Sequence, residues 1–262
     1  MLLYARYIIP FEGGRVMSLS GYDAFSWLYH QHWDDYSDRI WPFIKGSVLP
    51  QIPSGSEVLD LCCGTGKIAS NLIKQRFQVT GVDSSEKMLD FARANAPKAT
   101  LLCQDARQIH LENRVHLTLS LFDSLNHMMT KDELIAVFER VWSILYPGGL
   151  FFFDMNSITK YESRWPGHDS LIYPDHVAAI STHYDLKTRN ATFEAAIFRL
   201  QEEQWIRYDV HLTQKGYTAS EIHQALDYAG FRPIRMLDAS RDQKMASFYG
   251  RLFFWAYKPA SV

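Results

Sequence analysis

Residues 57–69 read Glu57-Val58-Leu59-Asp60-Leu61-Cys62-Cys63-Gly64-Thr65-Gly66-Lys67-Ile68-Ala69, and residues 78–83 read Gln78-Val79-Thr80-Gly81-Val82-Asp83. The first stretch is a short apolar run, then a glycine-rich turn, then a helical pattern. The second is another apolar run that closes on an acid. A strand feeding a turn of the form G-x-G-x-x-G/A, with an acid about 20 residues further on, is a pattern by which open α/β sheets hold nucleotides. Strands with apolar centres that alternate with helices predict a mostly parallel sheet covered on both faces.

The same rhythm continues in both directions. Ser84-Ser85-Glu86-Lys87 offers a capping serine and an early acid for a helix to about Asn95, and Pro97 ends it. Thr100–Cys103, Val115–Phe122 and Leu150–Phe153 read as further strands, the last after a Pro147-Gly148-Gly149 turn. Thr130 to Glu133 and Thr218 to Glu221 both have the T-x-x-E form of a capping box and open helices to about Leu145 and Ala229. Upstream, Tyr22, Phe25, Tyr29, Trp33 and Tyr36 recur at spacings of three and four and predict one or two amphipathic helices between Tyr22 and Ile44. Residues 156–175 read as a loop. From Val177 to about Thr213 the period changes to two, with polar breaks at 185–190 and 201–204, which predicts three antiparallel strands. Phe231–Leu237 and Phe248–Tyr257 are the last two expected strands.

Composition narrows the class. The chain has 262 residues, 47% of them hydrophobic and 21% charged, with a formal net charge of -2. Such a chain folds as a soluble globular protein and has no global field to hold nucleic acid or an anionic membrane. No apolar run approaches the roughly 20 residues of a membrane helix. The start, Met1 to Phe11, lacks a basic flank and a small-residue cleavage site, so no signal peptide is expected. The first sixteen residues read as an extension, or as the product of an early start codon, since Met17 opens the first well-patterned segment. Three cysteines, two of them adjacent, read as reduced core thiols of a cytoplasmic protein, and the histidines show no metal-ligand spacing.

The acids choose the ligand. Asp60 lies four residues before Gly64, where a dinucleotide would bring its pyrophosphate; a carboxylate there repels that group and argues against an NAD(P)-dependent reductase. A cationic ligand is attracted instead. S-adenosyl-L-methionine carries a sulfonium and an ammonium. Asp83, at the end of the second strand, can accept both ribose hydroxyls, and Asp105, at the end of the third, can meet the adenine edge. Helix capping or a surface charge is the plainer role for any one of these acids, but three successive strand ends carry one. Met88 packs on adenine or serves as a buried helix methionine.

Val58 to Gly66, Gly81-Val82-Asp83-Ser84-Ser85, Gln104-Asp105-Ala106 and Leu145 to Gly149 resemble the motifs of class I S-adenosylmethionine-dependent methyltransferases. The resemblance runs from about Tyr22 to the C-terminus. It implies a Rossmann-like seven-stranded mixed sheet in the order 3-2-1-4-5-7-6, with strand seven antiparallel. Ser120 to His127 is most similar to the branch that holds aminosugar N-methyltransferases and glycine N-methyltransferase-like enzymes, which also carries a β insertion after strand five. Cys63 departs from the motif, where glycine is frequent. The resemblance implies a cofactor site of Tyr22, Asp60, Cys62, Gly64, Gly66, Asp83, Ser84, Met88, Asp105, Ala106, Phe122 and Asp123.

Methyl transfer asks the protein to align nucleophile and methyl and to exclude water; a base is needed only when the nucleophile arrives protonated. His127, just past strand four, is the candidate base, or a loop histidine that caps the next helix. Tyr22 and Tyr29 belong to a segment that folds over the cofactor in similar enzymes, and either packs amphipathically or contacts the methionyl end. Asp123 faces the sulfonium or holds its loop, and Asn156 is a candidate substrate contact. The expected organisation is an extension over 1–20, an aromatic helical lid over 21–50, a cofactor-binding core over 51–155, a β insertion over 156–215 and C-terminal elements that complete the sheet over 216–262. The expected activity is methylation of a small-molecule acceptor, an amine first and a hydroxyl second, with a non-catalytic binding protein as the remaining class. No nucleic-acid or membrane partner is expected, and a homodimer is left open.

Overall fold

The computed structural model describes residues 15–17 and 21–260. A short strand, β1 (Arg15–Met17), precedes two helices, α1 (Gly21–His32) and α2 (Asp35–Phe43). The core then alternates: β2 (Glu57–Leu61), α3 (Lys67–Lys74), β3 (Gln78–Asp83), α4 (Glu86–Asn95), β4 (Thr100–Cys103), β5 (Val115–Ser120), α5 (Lys131–Ile144) and β6 (Leu145–Asn156). After it come α6 (Ile158–Ser163) and the strands β7 (Gly167–Ile172), β8 (His176–Asp185), β9 (Asn190–Gln201) and β10 (Gln204–Lys215). The chain closes with α7 (Ala219–Tyr228), β11 (Ile234–Asp238), α8 (Ala239–Asp242) and β12 (Arg251–Tyr257).

The main sheet has seven strands in the order β11-β12-β6-β5-β2-β3-β4. Numbered among themselves, these are the expected 3-2-1-4-5-7-6 read from the other edge. β12 is antiparallel to both of its neighbours, and the central strands are parallel. Successive side chains on a strand face opposite sides. Phe151 and Phe153 accordingly join a core with Phe138, Val141, Ile222 and Leu226 from α5 and α7, while Phe152 joins Tyr36, Ile40, Ile68 and Leu72 from α2 and α3 on the other side. All three phenylalanines are fully buried, each worth roughly 1.5–3 kcal/mol of transfer free energy.

Local chemistry starts these helices where the sequence asks. Ser85 accepts from Met88 N–H at 3.1 Å, and both threonine capping boxes are formed, with each glutamate returning to its N-cap amide. Gly66 sits at φ +76°, and an added Cβ would lie 2.9 Å from Ala92 Cα, so glycine there lets α3 start against α4.

The segment after β6 differs from expectation. Residues 156–175 are not a loop: Ser157 caps α6, and β7 pairs antiparallel with β8. β7 is an edge strand exposed on nearly every residue, so it carries no period-2 signal. The second sheet has the order β1-β10-β9-β8-β7, four antiparallel strands with β1 parallel to β10. Of the expected extension over 1–20, residues 15–17 therefore add a strand, and the remainder lies outside the described residues. β5 ends at Ser120 because Phe122 and Asp123 turn into the left-handed region, at φ +62° and +51°. β6 begins at Leu145 and runs irregularly through Pro147–Gly149. β11 and β12 start three residues later than expected, at Ile234 and Arg251.

The helical lid joins the layers. Ala24, Phe25 and Leu28 of α1 pack on Ala178, Ile180, Ala195, Ile197 and Val210 of the second sheet, while α2 packs on the main sheet.

Candidate active site

The carboxyl ends of β2, β3 and β5 open on a cleft roofed by α1 and α2, where ligands of open α/β sheets lie. Tyr22, Asp60, Cys62, Gly64, Asp83, Ser84, Met88, Asp105, Ala106, Phe122 and His127 all line it. Two residues expected there are elsewhere. Gly66 does not line the cleft; its role is the close approach of α3 to α4. Asp123 lines a second, neighbouring cleft, where its carboxylate accepts from Arg251 Nη2 at 2.6 Å and from Gln214 Nε2 at 2.6 Å. Asn156 also lines this second cleft.

Asp60 is 3% exposed, and its Oδ2 has no hydrogen-bond partner. Burial pushes its carboxyl up to about 7, against the opposing pull of the Ala69 amide. A buried acid without a counter-charge is costly unless a cation joins it. Asp83 accepts from Gly64 N–H at 2.8 Å and from Ser85 N–H at 2.9 Å, one on each oxygen, and burial raises its pKa. Asp105 is spoken for: Arg107 Nε donates to it at 2.9 Å and the Arg107 amide at 2.8 Å, which lowers its pKa, and Arg107 also reaches Glu133. No added Cβ on Gly64 would meet an atom within 4 Å, so the cleft is open at that backbone. The Cys63 thiol packs on Gly81, where a Cβ would lie 3.0 Å from Sγ; the glycine of β3 makes room for the cysteine of the motif.

The two clefts meet at Tyr22, Tyr29, Tyr36, Phe122 and His127. The three tyrosines, Tyr22 and Tyr29 on α1 and Tyr36 on α2, recur every seventh residue and all line both clefts. Tyr22 Oη lies 2.8 Å from His127 Nε2, and His127 Nδ1 lies 2.7 Å from the Thr213 carbonyl oxygen. A carbonyl only accepts, so Nδ1 carries the proton and Nε2 is the acceptor for the tyrosine. Burial lowers the His127 pKa, which keeps the ring neutral. Its expected alternative as a helix cap is not what the geometry gives, since Thr130 caps α5.

Several residues at the site were not foreseen. Asp34, at the α1–α2 junction, accepts from Thr65 Oγ1 at 2.5 Å and pairs with His30 at 2.6 Å, while Ser85 Oγ donates to Asp23 at 2.6 Å. These contacts tie the lid to the glycine loop and to the start of α4. Arg251, 3% exposed, bridges Asp123 and Asp154, and Tyr36 Oη donates to Asp154 at 2.8 Å. The signal for Arg251 is a charged residue heading the apolar run Leu252–Trp255. Among the described residues, no group of three or more His, Cys, Asp or Glu could hold a metal ion, and no helix is long and apolar enough to cross a membrane.

The donor set fits S-adenosylmethionine: a buried carboxylate with one unpartnered oxygen for its cationic end, an open glycine backbone, and an acid on β3 for the ribose. Residues 58–149 match a family described as a methyltransferase domain. The chain is 28% identical over 216 residues to a Bacillus subtilis protein named "Putative methyltransferase YqeM", with 80% of this chain and 87% of that one covered. It is 28% identical over 214 residues to dTDP-3-amino-3,4,6-trideoxy-alpha-D-glucopyranose N,N-dimethyltransferase of Streptomyces venezuelae, covering 80% and 89%. A solved S-adenosylmethionine-dependent methyltransferase from Clostridium acetobutylicum shares the fold with a TM-score of 0.75 at 22% identity, over 92% of this chain and 99% of that one. Motifs, strand order, cleft chemistry and relatives agree: residues 58–149 form a methyltransferase domain, on a fold shared with S-adenosylmethionine-dependent methyltransferases and with a cleft that fits that cofactor.

Proposed function

We propose that the protein methylates an amine nitrogen of a small molecule that enters through the second cleft. The observation that carries this reading is the Tyr22–His127 pair where the clefts meet. When bound, S-adenosylmethionine supplies a methyl carbon activated by positive sulfur. Asp60 balances the cationic end, Asp83 accepts the ribose hydroxyls, Met88 and Ala106 flank the adenine, and Asp105, held by Arg107, stands at its edge. Tyr22, Tyr29 and Phe122 exclude water, which strengthens every electrostatic contact inside.

An aliphatic amine is largely protonated at neutral pH and has no lone pair to offer until it gives up that proton. His127 is neutral, with a lone pair on Nε2, and Tyr22 Oη can pass a proton to it. The dTDP-aminosugar N,N-dimethyltransferase among the relatives supports an amine acceptor. A hydroxyl acceptor also arrives protonated and would use the same base, so O-methylation is the second reading. The three free cysteines support a reducing, cytoplasmic setting.

The test is release of S-adenosylhomocysteine with matched panels of small amines and of alcohols and phenols. Turnover confined to the amines is expected. Turnover only with hydroxyl acceptors would replace the nitrogen assignment.

A further inference from the structure

Gln214 lies on β10, outside every sequence motif, and is 5% exposed. Its Oε1 accepts from Tyr161 Oη at 2.8 Å, and its other end faces the Asp123 carboxylate, which only accepts, so that end is the nitrogen. Its Nε2 then donates to Asp123 Oδ2 at 2.6 Å and stands 3.2 Å from His127 Nε2. Asp123 is in turn held by Arg251 at 2.6 Å. We propose that Gln214 is a positioning residue that keeps His127 Nε2 unprotonated, as the acceptor for Tyr22 Oη at the junction of the two clefts, and separates it from the Asp123 carboxylate. This deepens the proposed function and rests on its assignment of His127.

The physical reason is donor against donor. A neutral Nε2 shares its one lone pair between the Tyr22 hydroxyl and the amide N–H of Gln214. An imidazolium Nε2–H would face that N–H and could not pair with it. Asp123 acts the other way, because its negative charge favours the imidazolium. Gln214 occupies the place from which Asp123 would otherwise reach the ring. The other groups that face His127 are Tyr22 from α1 and the Thr213 carbonyl from β10. The base is therefore held weak enough to be neutral at physiological pH while the acid that stabilises its protonated form stays one side chain away.

Two variants test this. Gln214→Met removes the N–H at nearly equal reach, and Gln214→Glu replaces it, when ionised, by a carboxylate that only accepts. Both should raise the His127 pKa, followed by NMR of the imidazole in the full-length protein without acceptor. Both should also move the acid limb of kcat/KM to higher pH, with the glutamate variant moved further. S-adenosylmethionine affinity should stay within about threefold, because Gln214 does not line that cleft. A His127 titration unchanged in both variants, with a lowered rate at every pH, would overturn the proposal and leave Gln214 a packing residue. Failure of the wild-type protein to methylate amines would instead strike the proposed function, since the NMR titration needs no acceptor.

Discussion

The Tyr22 hydroxyl donates to His127 Nε2 across 2.8 Å, from a lid helix to a turn 105 residues away in the chain. The bond closes the junction between the cofactor cleft and the second cleft, and it involves the one ring nitrogen that the Thr213 carbonyl leaves free. Loss of a general base costs about 10²–10⁴-fold in rate. His127→Ala should fall in that range, while S-adenosylmethionine affinity changes by less than about threefold. Tyr22→Phe should cost less, about tenfold, because the imidazole remains. Raising the pH should partly rescue His127→Ala, since more acceptor is then neutral. Steady-state rates and calorimetric titrations check all three outcomes, and wild-type turnover in His127→Ala would remove the base from the mechanism.

Asp83 binds the glycine loop as well as facing the cleft, through the Gly64 and Ser85 amides. Asp83→Ala should weaken S-adenosylmethionine by at least tenfold, since charge-assisted hydrogen bonds contribute roughly 1.5–3 kcal/mol. Asp83→Asn keeps one acceptor oxygen and should lose less. Equal affinities in wild type and Asp83→Ala would sink the ribose assignment.

The glycines of the loop should separate by effect. Gly66→Ala puts a methyl 2.9 Å from Ala92 at φ +76°, so it should lower the melting temperature and weaken binding together. Gly64→Ala meets nothing within 4 Å, although φ is +52°, so it should cost less stability than Gly66→Ala and still reduce cofactor affinity. Melting curves with and without S-adenosylmethionine distinguish the two; equal destabilisation by both would refute the division of roles.

Residues near one another in sequence announced themselves, and residues joined only by the fold did not. The β2 turn, Asp60 and Asp83 belong to one β-α-β unit, so spacing alone brings them to one cleft. The threonine capping boxes are three-residue signals and were legible for the same reason. Asp123 follows β5, which leaves it between facing the sulfonium and holding its loop; its partner Arg251 is 128 residues away, beyond the reach of any local pattern. Gln214 did leave a trace. The inward row Val210, Leu212, Gln214 on β10 breaks its apolar alternation at the residue that meets His127. Asp34 left none, because an acid between two helices looks like any exposed charge until Thr65 folds against it.

Asp34 yields a test of the lid. Removing its carboxylate in Asp34→Ala breaks the contacts with Thr65 and His30 but leaves α1 packed on the second sheet. Amide exchange should quicken in α2 and the glycine loop more than in the buried side of α1, and S-adenosylmethionine should bind several-fold more weakly. Unaltered exchange across residues 34–66 would show that packing alone holds the lid.

Asp60 makes cofactor binding and stability pull in opposite directions with pH. Its carboxyl titrates at 3.8 in an ordinary setting and at about 7 in the folded protein without a cation beside it. Between those values the unfolded chain has released this proton and the folded chain has kept it. The folded state therefore loses stability as pH rises through the window, and the penalty is complete above about 7. Asp60→Asn should raise the melting temperature of the free protein, more at pH 8 than at pH 5. The cationic end of S-adenosylmethionine favours the ionised form, so binding to the wild type should release a proton below about pH 7. Affinity should then fall toward a limit of about tenfold per pH unit as the medium is acidified further. Asp60→Asn should bind weakly at every pH and lose this dependence. Calorimetry in buffers of different ionisation enthalpy counts the proton directly. A wild-type affinity that is flat from pH 5 to 8, or an asparagine variant that binds as tightly as wild type, would remove Asp60 as the counter-charge.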